Sequence, residues 1–224
     1  METNDIPVIA IDGPSASGKG TIAQLVAKKL GFHYLDSGAL YRLVALKAMQ
    51  CDADFSDIKF LANIARQLDV VFADEKIRLE NKDVSDSIRM EQCGIKASQL
   101  ASYPQVREAL IARQHAFRQP PGLVTDGRDM GSVIFPDAVL KIFLTASAEV
   151  RAKRRYKQLM EKGINANMHV LLQDIQDRDA RDSGRSIAPL QQGADARLLD
   201  TSSLSIIRTS AEVLAWYNER CINK

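Results

Sequence analysis

The apolar run Val8-Ile9-Ala10-Ile11 ends at Asp12 and opens into Gly13-Pro14-Ser15-Ala16-Ser17-Gly18-Lys19-Gly20-Thr21, after which 21–30 has a helical pattern. A buried strand, a loop of glycine and hydroxyl residues and then a helix make a strand–turn–helix unit, which commits this part of the chain to an α/β arrangement. Such a loop packs nothing and is costly in backbone entropy, so it must be shaped around something.

The loop nearly matches G-x-x-x-x-G-K-[ST]; Gly20 stands where a hydroxyl is expected and Thr21 follows one place later. In that motif glycines let successive N–H groups turn inward onto phosphate oxygens, and the helix adds its positive N-terminal end. The lysine meets the β and γ phosphates and the hydroxyl helps hold Mg²⁺. A plain Gly/Ser turn is the alternative, and the strand before and helix after count against it. A GTPase switch would also need D-x-x-G, and no Asp stands three residues before any Gly. The expectation is an ATP-type phosphate site in Gly13, Pro14, Ser15, Ala16, Ser17, Gly18, Lys19, Gly20 and Thr21.

The rest of the 224 residues supports an α/β core. Strands are expected at 7–12, 33–36, 123–126, 139–145 and 197–200, separated by helical patterns at 21–30, 39–49, 146–161 and 204–217. This alternation predicts a largely parallel central sheet flanked by helices. Asp12, Asp36, Asp126 and Asp200 end four of the strands, where open α/β sheets place their ligands. The middle differs. A helix at 56–68 is followed by alternating residues around Asp74-Glu75, which read as an antiparallel hairpin, and then by helical stretches at 85–102 and 104–118. We expect a subdomain inserted at about 60–100 into a core of 1–59 and 101–224.

Net charge is +2, so no global field favours nucleic acid or a membrane surface, and neither partner is expected. Cys51, Cys93 and Cys221 form no C-x-x-C pair, and His33, His115 and His169 have no metal spacing. The polar start Met1-Glu2-Thr3-Asn4-Asp5 predicts no signal peptide, and no apolar stretch is long enough to span a bilayer. A cytoplasmic monomer is expected.

Three further stretches carry charge at element ends. Asp36-Ser37-Gly38-Ala39-Leu40-Tyr41-Arg42 is a helix start that brings Arg42 one turn in. Asp126-Gly127-Arg128-Asp129 crowds two acids and an arginine beside a glycine, where a salt-bridged turn is the alternative. In Asp177 to Arg185, arginines at 178, 181 and 185 recur at helical spacing, where a solvated face is the default. Arg151-Ala152-Lys153-Arg154-Arg155-Tyr156-Lys157 is the densest positive run.

With Ser98-Gln99, Val106-Arg107-Glu108-Ala109-Leu110 and Asp126-Gly127-Arg128-Asp129-Met130-Gly131 in order along the chain, these stretches resemble the bacterial cytidylate kinases. The Gly20-Thr21 pair is what nucleoside monophosphate kinases show; Ala16 stands where that family often has glycine. The resemblance implies the P-loop nucleoside monophosphate kinase fold, an inserted nucleotide-binding subdomain at about 60–100 and a lid at about 151–165. It implies phosphoryl transfer from ATP to CMP or dCMP with Mg²⁺, with Lys19, Asp126, Arg128 and Arg178 as catalytic residues and Thr21 and Asp126 at the metal. Arg154 and Arg155 would meet the donor phosphates. Ser37, Tyr41, Arg42, Ser98, Arg107, Arg128, Asp129, Arg178, Asp182 and Arg185 would bind CMP. Asp129 would accept from the cytosine amine, and Asp182 and Arg178 would face the ribose. A kinase for another acceptor and an ATP-gated binding protein are the rival readings.

Overall fold

A computed structural model describes residues 6–73, 76–161 and 163–222; the expected polar start at 1–5, the Asp74-Glu75 turn and one residue of the expected lid lie outside them. The chain divides into two compact units, 1–35 with 117–224, and 36–116.

The first unit is built on a five-stranded sheet. In chain order its strands are β1 (Val8–Asp12), β2 (His33–Asp36), β6 (Leu123–Gly127), β7 (Leu140–Thr145) and β8 (Arg197–Asp200), with β3–β5 belonging to the second unit. They lie in the order β2-β6-β1-β7-β8, and β1 pairs in parallel with both β6 and β7, as β7 does with β8. β1 is buried along its whole length, as its unbroken apolar run requires for a central parallel strand. Helices α1 (Lys19–Leu30) and α8 (Ile206–Ile222) pack together and against the sheet. Ile9, Ile11, Val124, Ile142 and Leu144 meet Ile22 and Val26 there, with Trp216 and Tyr217 at the margin. Truncating any one of the isoleucines or Leu144 here to alanine would cost about 2–5 kcal/mol.

The crossover connections diverge at the centre of this sheet: β1 leads away to β2 on one side, and β6 crosses over to β7 on the other. The carboxyl ends of β1 and β6 therefore flank a switch point, where open α/β sheets bind ligands. Register puts Ile11 beside Asp126 and Asp12 beside Gly127. Helices α6 (Ala148–Glu161) and α7 (Met168–Ser183) complete this unit and pack on each other. α7 begins well before the charged run 177–185 from which a helix was expected.

The second unit holds α2 (Ser37–Gln50), α3 (Ile58–Gln67), α4 (Glu91–Leu100), α5 (Pro104–His115) and a three-stranded antiparallel sheet of β3 (Val70–Ala73), β4 (Lys76–Leu79) and β5 (Lys82–Asp83). It is broader than the expected insert at 60–100, because α2 packs on α4 and α3 on α5. Two local readings are corrected. β5 was not expected; the chain turns at Glu80 and Asn81, both left-handed at φ 49° and 64°, without the glycine that usually announces such a hairpin. The helix expected at 85–102 is two pieces, a turn at Ser87–Arg89 and then α4, separated by extended backbone at Met90.

Candidate active site

The loop after β1 closes around Lys19, which is buried at the start of α1 and donates from Nζ to the Pro14 carbonyl at 3.0 Å. Gly13 has no alternative: a Cβ there would fall 2.0 Å from the backbone oxygen of Leu144. Gly18, in left-handed backbone at φ 95°, precedes α1 and frees its first N–H groups. Residues 16–22 line a cavity of about 590 Å³ that Asp126, Arg154 and Thr201 also line, with Leu204 and Ile206 as apolar wall. A strand alternates its side chains, so Asp126 shares the face of Val124 and points to the α1 side. There Tyr34 donates to its Oδ1 at 2.7 Å.

Thr21 and Asp126 both line this cavity, offering one hydroxyl and one carboxylate. Among the described residues no group of three or more His, Cys, Asp or Glu could hold a metal. The pair fits a hard cation that keeps its waters and takes further oxygens from phosphates, which is the habit of Mg²⁺.

On the other side of the switch point, Asp12 fixes the loop after β6. Its Oδ1 accepts the N–H of Met130 and its Oδ2 that of Gly131, at 2.8 and 2.9 Å. Burial pushes the Asp12 carboxyl up to about 6, against the opposing pull of those two N–H groups; Asp129 adds to the rise and Lys19 opposes it. Asp129 is buried at the head of one π-helical turn, Met130–Ile134. Arg128 donates from Nε to Asp182 Oδ2 at 2.7 Å, and Arg185 holds Oδ1 of the same carboxylate. Asp182 is only 1% exposed. Burial raises its pKa, but Arg128, Arg185 and Arg178 together hold it below the usual carboxylate range. The structure thus brings Arg128, Arg178, Asp182 and Arg185 into one cluster. Arg181 is exposed and stays outside it, donating to Asp177 of its own helix.

Arg154 reaches this cavity, but its guanidinium donates to the Ser17 and Thr201 carbonyls at 3.0 and 2.6 Å. Arg155 is half-buried and is not part of the cavity wall among the described residues.

The second unit carries Ser37, Tyr41, Arg42, Ser98 and Arg107. Asp36 caps α2 through Ala39 N–H at 3.0 Å, which leaves the Ser37 hydroxyl to donate to buried Gln114 at 2.8 Å. Arg42 donates to the Ile88 carbonyl at 2.8 Å. Gly94 leaves it room, since a Cβ there would stand 2.9 Å from Arg42 Nη2. Ser98 on α4 and Arg107 on α5 are both buried.

The family profile for cytidylate kinase matches residues 9–219. The chain belongs to the cytidylate kinase family. A cytidylate kinase of Nitrosomonas europaea is 61% identical to it over 219 residues, 98% of either chain. One of Burkholderia pseudomallei is 59% identical over 213 residues, 95% of this chain and 93% of its own. Among solved structures, a gluconokinase from Sinorhizobium meliloti aligns over 93% of this chain and 90% of its own, at TM-score 0.47 and 15% identity, too distant to add to the argument. Membership of a kinase family implies ATP-dependent phosphoryl transfer, which typically needs a divalent metal. No helix among the described residues is long and apolar enough to cross a membrane.

Several residues around the cavity and the clamped loop were given no role from the sequence, Asp12 being noted only as the end of a strand. Asp12 and Thr201 were both within reach, one ending a strand and the other following a strand's final aspartate. Gln114 had no signal, because its partner Ser37 lies 77 positions away. On the cavity wall, Lys157 fell within the positive run without a role of its own, and Gln158 beside it had no signal.

Proposed function

We propose that this chain transfers the γ-phosphoryl group of ATP to CMP or dCMP, giving ADP and CDP or dCDP. The observation that carries this reading is the loop after β6. Asp126 lines the phosphate-loop cavity, and Arg128, two residues on, belongs to the cluster with Asp182 and Arg185. A donor phosphate site and an arginine site for a second anion therefore adjoin on one strand end.

Catalysis of such a transfer is mostly positioning and charge neutralisation. The loop amides and Lys19 hold the ATP phosphates, and the apolar wall at Leu204 and Ile206 receives the adenosine end. Thr21 and Asp126 would hold Mg²⁺, partly through water, and the ion would supply positive charge against the phosphates. Arg42, Arg128, Arg178 and Arg185 bind the CMP phosphate, whose oxygens suit guanidinium forks. Ser37 and Tyr41 stand at the start of the helix that carries Arg42. Asp129 accepts from the exocyclic amine of cytosine, where uracil offers only an acceptor, and Ser98 on α4 and Arg107 on α5 complete the base site. Asp182 holds Arg128 and Arg185 and faces the ribose. No side chain needs to act as a strong base, because the attacking phosphate is already anionic. Arg154 and Arg155, in a lid at 151–165, add positive charge at the donor phosphates and exclude water. The enzyme works as a cytoplasmic monomer.

A coupled assay over CMP, dCMP, UMP, AMP and GMP tests the reading. Turnover with CMP and dCMP well above the others is expected. Preference for another acceptor would refute the cytosine assignment, and ATP hydrolysis independent of any acceptor would point to an ATP-gated binding protein.

A further inference from the structure

Arg151, in the first turn of α6, is buried although it is charged, and a buried guanidinium has to be fully engaged. Its Nε donates to the Ala146 carbonyl at 2.8 Å. Its Nη1 donates to the Ser15 carbonyl at 3.2 Å and to Asp179 Oδ1 at 3.0 Å, and its Nη2 to Asp179 Oδ2 at 2.5 Å. One side chain therefore ties the phosphate loop to α7 through a two-pronged ion pair, the strongest and most directional kind.

Each end of this tie lands on the machinery of one substrate. A trans peptide points its C=O and the following N–H in opposite directions. Anchoring the Ser15 carbonyl toward α6 therefore turns the Ala16 N–H the other way, and Ala16 lines the donor cavity. Ala16 sits at φ 55°, a left-handed conformation that costs a non-glycine residue roughly 1–2 kcal/mol, so this turn needs holding from outside. Arg154 does the same one turn on, holding the Ser17 carbonyl and hence orienting the Gly18 N–H. At the other end, Asp179 follows Arg178 directly and precedes Asp182 by three residues on α7. The ion pair that shapes the donor loop also fixes the helix that presents the acceptor cluster.

We infer that Arg151 is a positioning residue that couples the two substrates, so that ordering of the phosphate loop by ATP favours the arrangement of α7 that binds CMP, and the reverse. The coupling is reciprocal by thermodynamic necessity. It deepens the CMP kinase reading and rests on it.

The test measures CMP affinity by calorimetry on the full chain, with and without a saturating non-hydrolysable ATP analogue, for wild type, R151K, R151M, D179N and R151M/D179N. Thermal midpoints are recorded alongside. Wild type should bind CMP at least about five-fold more tightly with the analogue present. R151M and D179N should each bring that ratio close to one, and the double variant should do no further damage. R151K keeps the charge but lacks the fork, so it too should lose most of the ratio; with D179N it carries the measurement if R151M does not fold. A lowered thermal midpoint with the ratio intact would reduce Arg151 to a structural staple and overturn the inference, as would a wild-type ratio of one. Wild type that turns over CMP while all variants keep the ratio sinks this inference alone; wild type that does not phosphorylate CMP sinks the functional reading with it.

Discussion

Asp12 Oδ1 accepts the backbone N–H of Met130 at 2.8 Å, across 118 positions of sequence. With the matching bond to Gly131, the last residue of the central strand becomes the clamp for the loop that carries Arg128 and Asp129. The clamp is a carboxylate under tension. Burial resists its charge and the two N–H groups favour it, and the balance leaves the pKa at about 6 rather than the ordinary 3.8.

That raised value makes a stability prediction with a definite sign. A carboxyl that binds its proton more tightly folded than unfolded stabilises fully below about pH 3.8, and this contribution is lost as pH rises through about 6. Asp12→Asn is neutral throughout, so its effect on stability should not vary with pH at this site. Urea unfolding should show wild type losing stability relative to the variant from about pH 4 to about pH 6.5, with no further change above pH 7. Parallel curves would mean that Asp12 titrates at an ordinary value.

Gly94→Ala tests Arg42 without touching it. The three atoms nearest the new methyl all belong to the end of the flexible Arg42 side chain, its Nη atoms at 2.9 and 3.1 Å. The helix itself gains from alanine by roughly 0.5–1 kcal/mol. Stability should therefore change little, the helix gain offsetting the Arg42 bond to the Ile88 carbonyl that is lost as the side chain is pushed aside. If Arg42 binds the CMP phosphate, KM for CMP should rise about ten-fold or more, the worth of a charged hydrogen bond, with ATP affinity unchanged. An unaltered KM in the folded variant would take Arg42 out of the acceptor site.

What could be read in the sequence was what neighbours along the chain decide. β1, the loop from Gly13 and Lys19 at the head of α1 are all local, because an apolar run, glycines and a helical period lie side by side. The alternation that turns Asp126 toward α1 is equally local. What could not be read depends on contacts distant in sequence. Arg151 was one cation in a positive run until Ser15 and Asp179 supplied its partners from 136 and 28 positions away. The extent of the second unit depends on α2 against α4 and α3 against α5, packing that no local pattern records. β5 was missed because Glu80 and Asn81 turn without glycine.

Lys19→Met should remove a charge whose contact strengthens as phosphoryl transfer proceeds. Because Lys19 also holds the Pro14 carbonyl, some loosening of the loop is expected, but the surrounding core is unaffected. The expected loss is on the order of 10²–10³ in kcat, with a normal far-ultraviolet spectrum. Turnover within a few-fold of wild type would exclude Lys19 from the chemistry.

Asp182→Ala separates two roles for one carboxylate. The family resemblance places Asp182 at the ribose, whereas its two oxygens are already held by Arg128 and Arg185. Removing the carboxylate leaves those guanidinium groups facing each other with their shared counter-charge gone, and breaking a buried pair from one side costs about 3–5 kcal/mol. The arginines would then move apart, and the phosphate they bind is the same in every acceptor. The expected result is a common loss on the order of 10²-fold or more in kcat/KM for CMP, dCMP and arabinosyl-CMP, with a sugar-dependent remainder within about ten-fold. ATP affinity should change little, since Asp182 takes no part in the donor cavity. Asp182→Asn should lose less, because the amide oxygen still accepts from one arginine. A loss felt by CMP but not by dCMP would place the whole effect at the 2′-hydroxyl and leave the arginine cluster able to hold itself without its central charge.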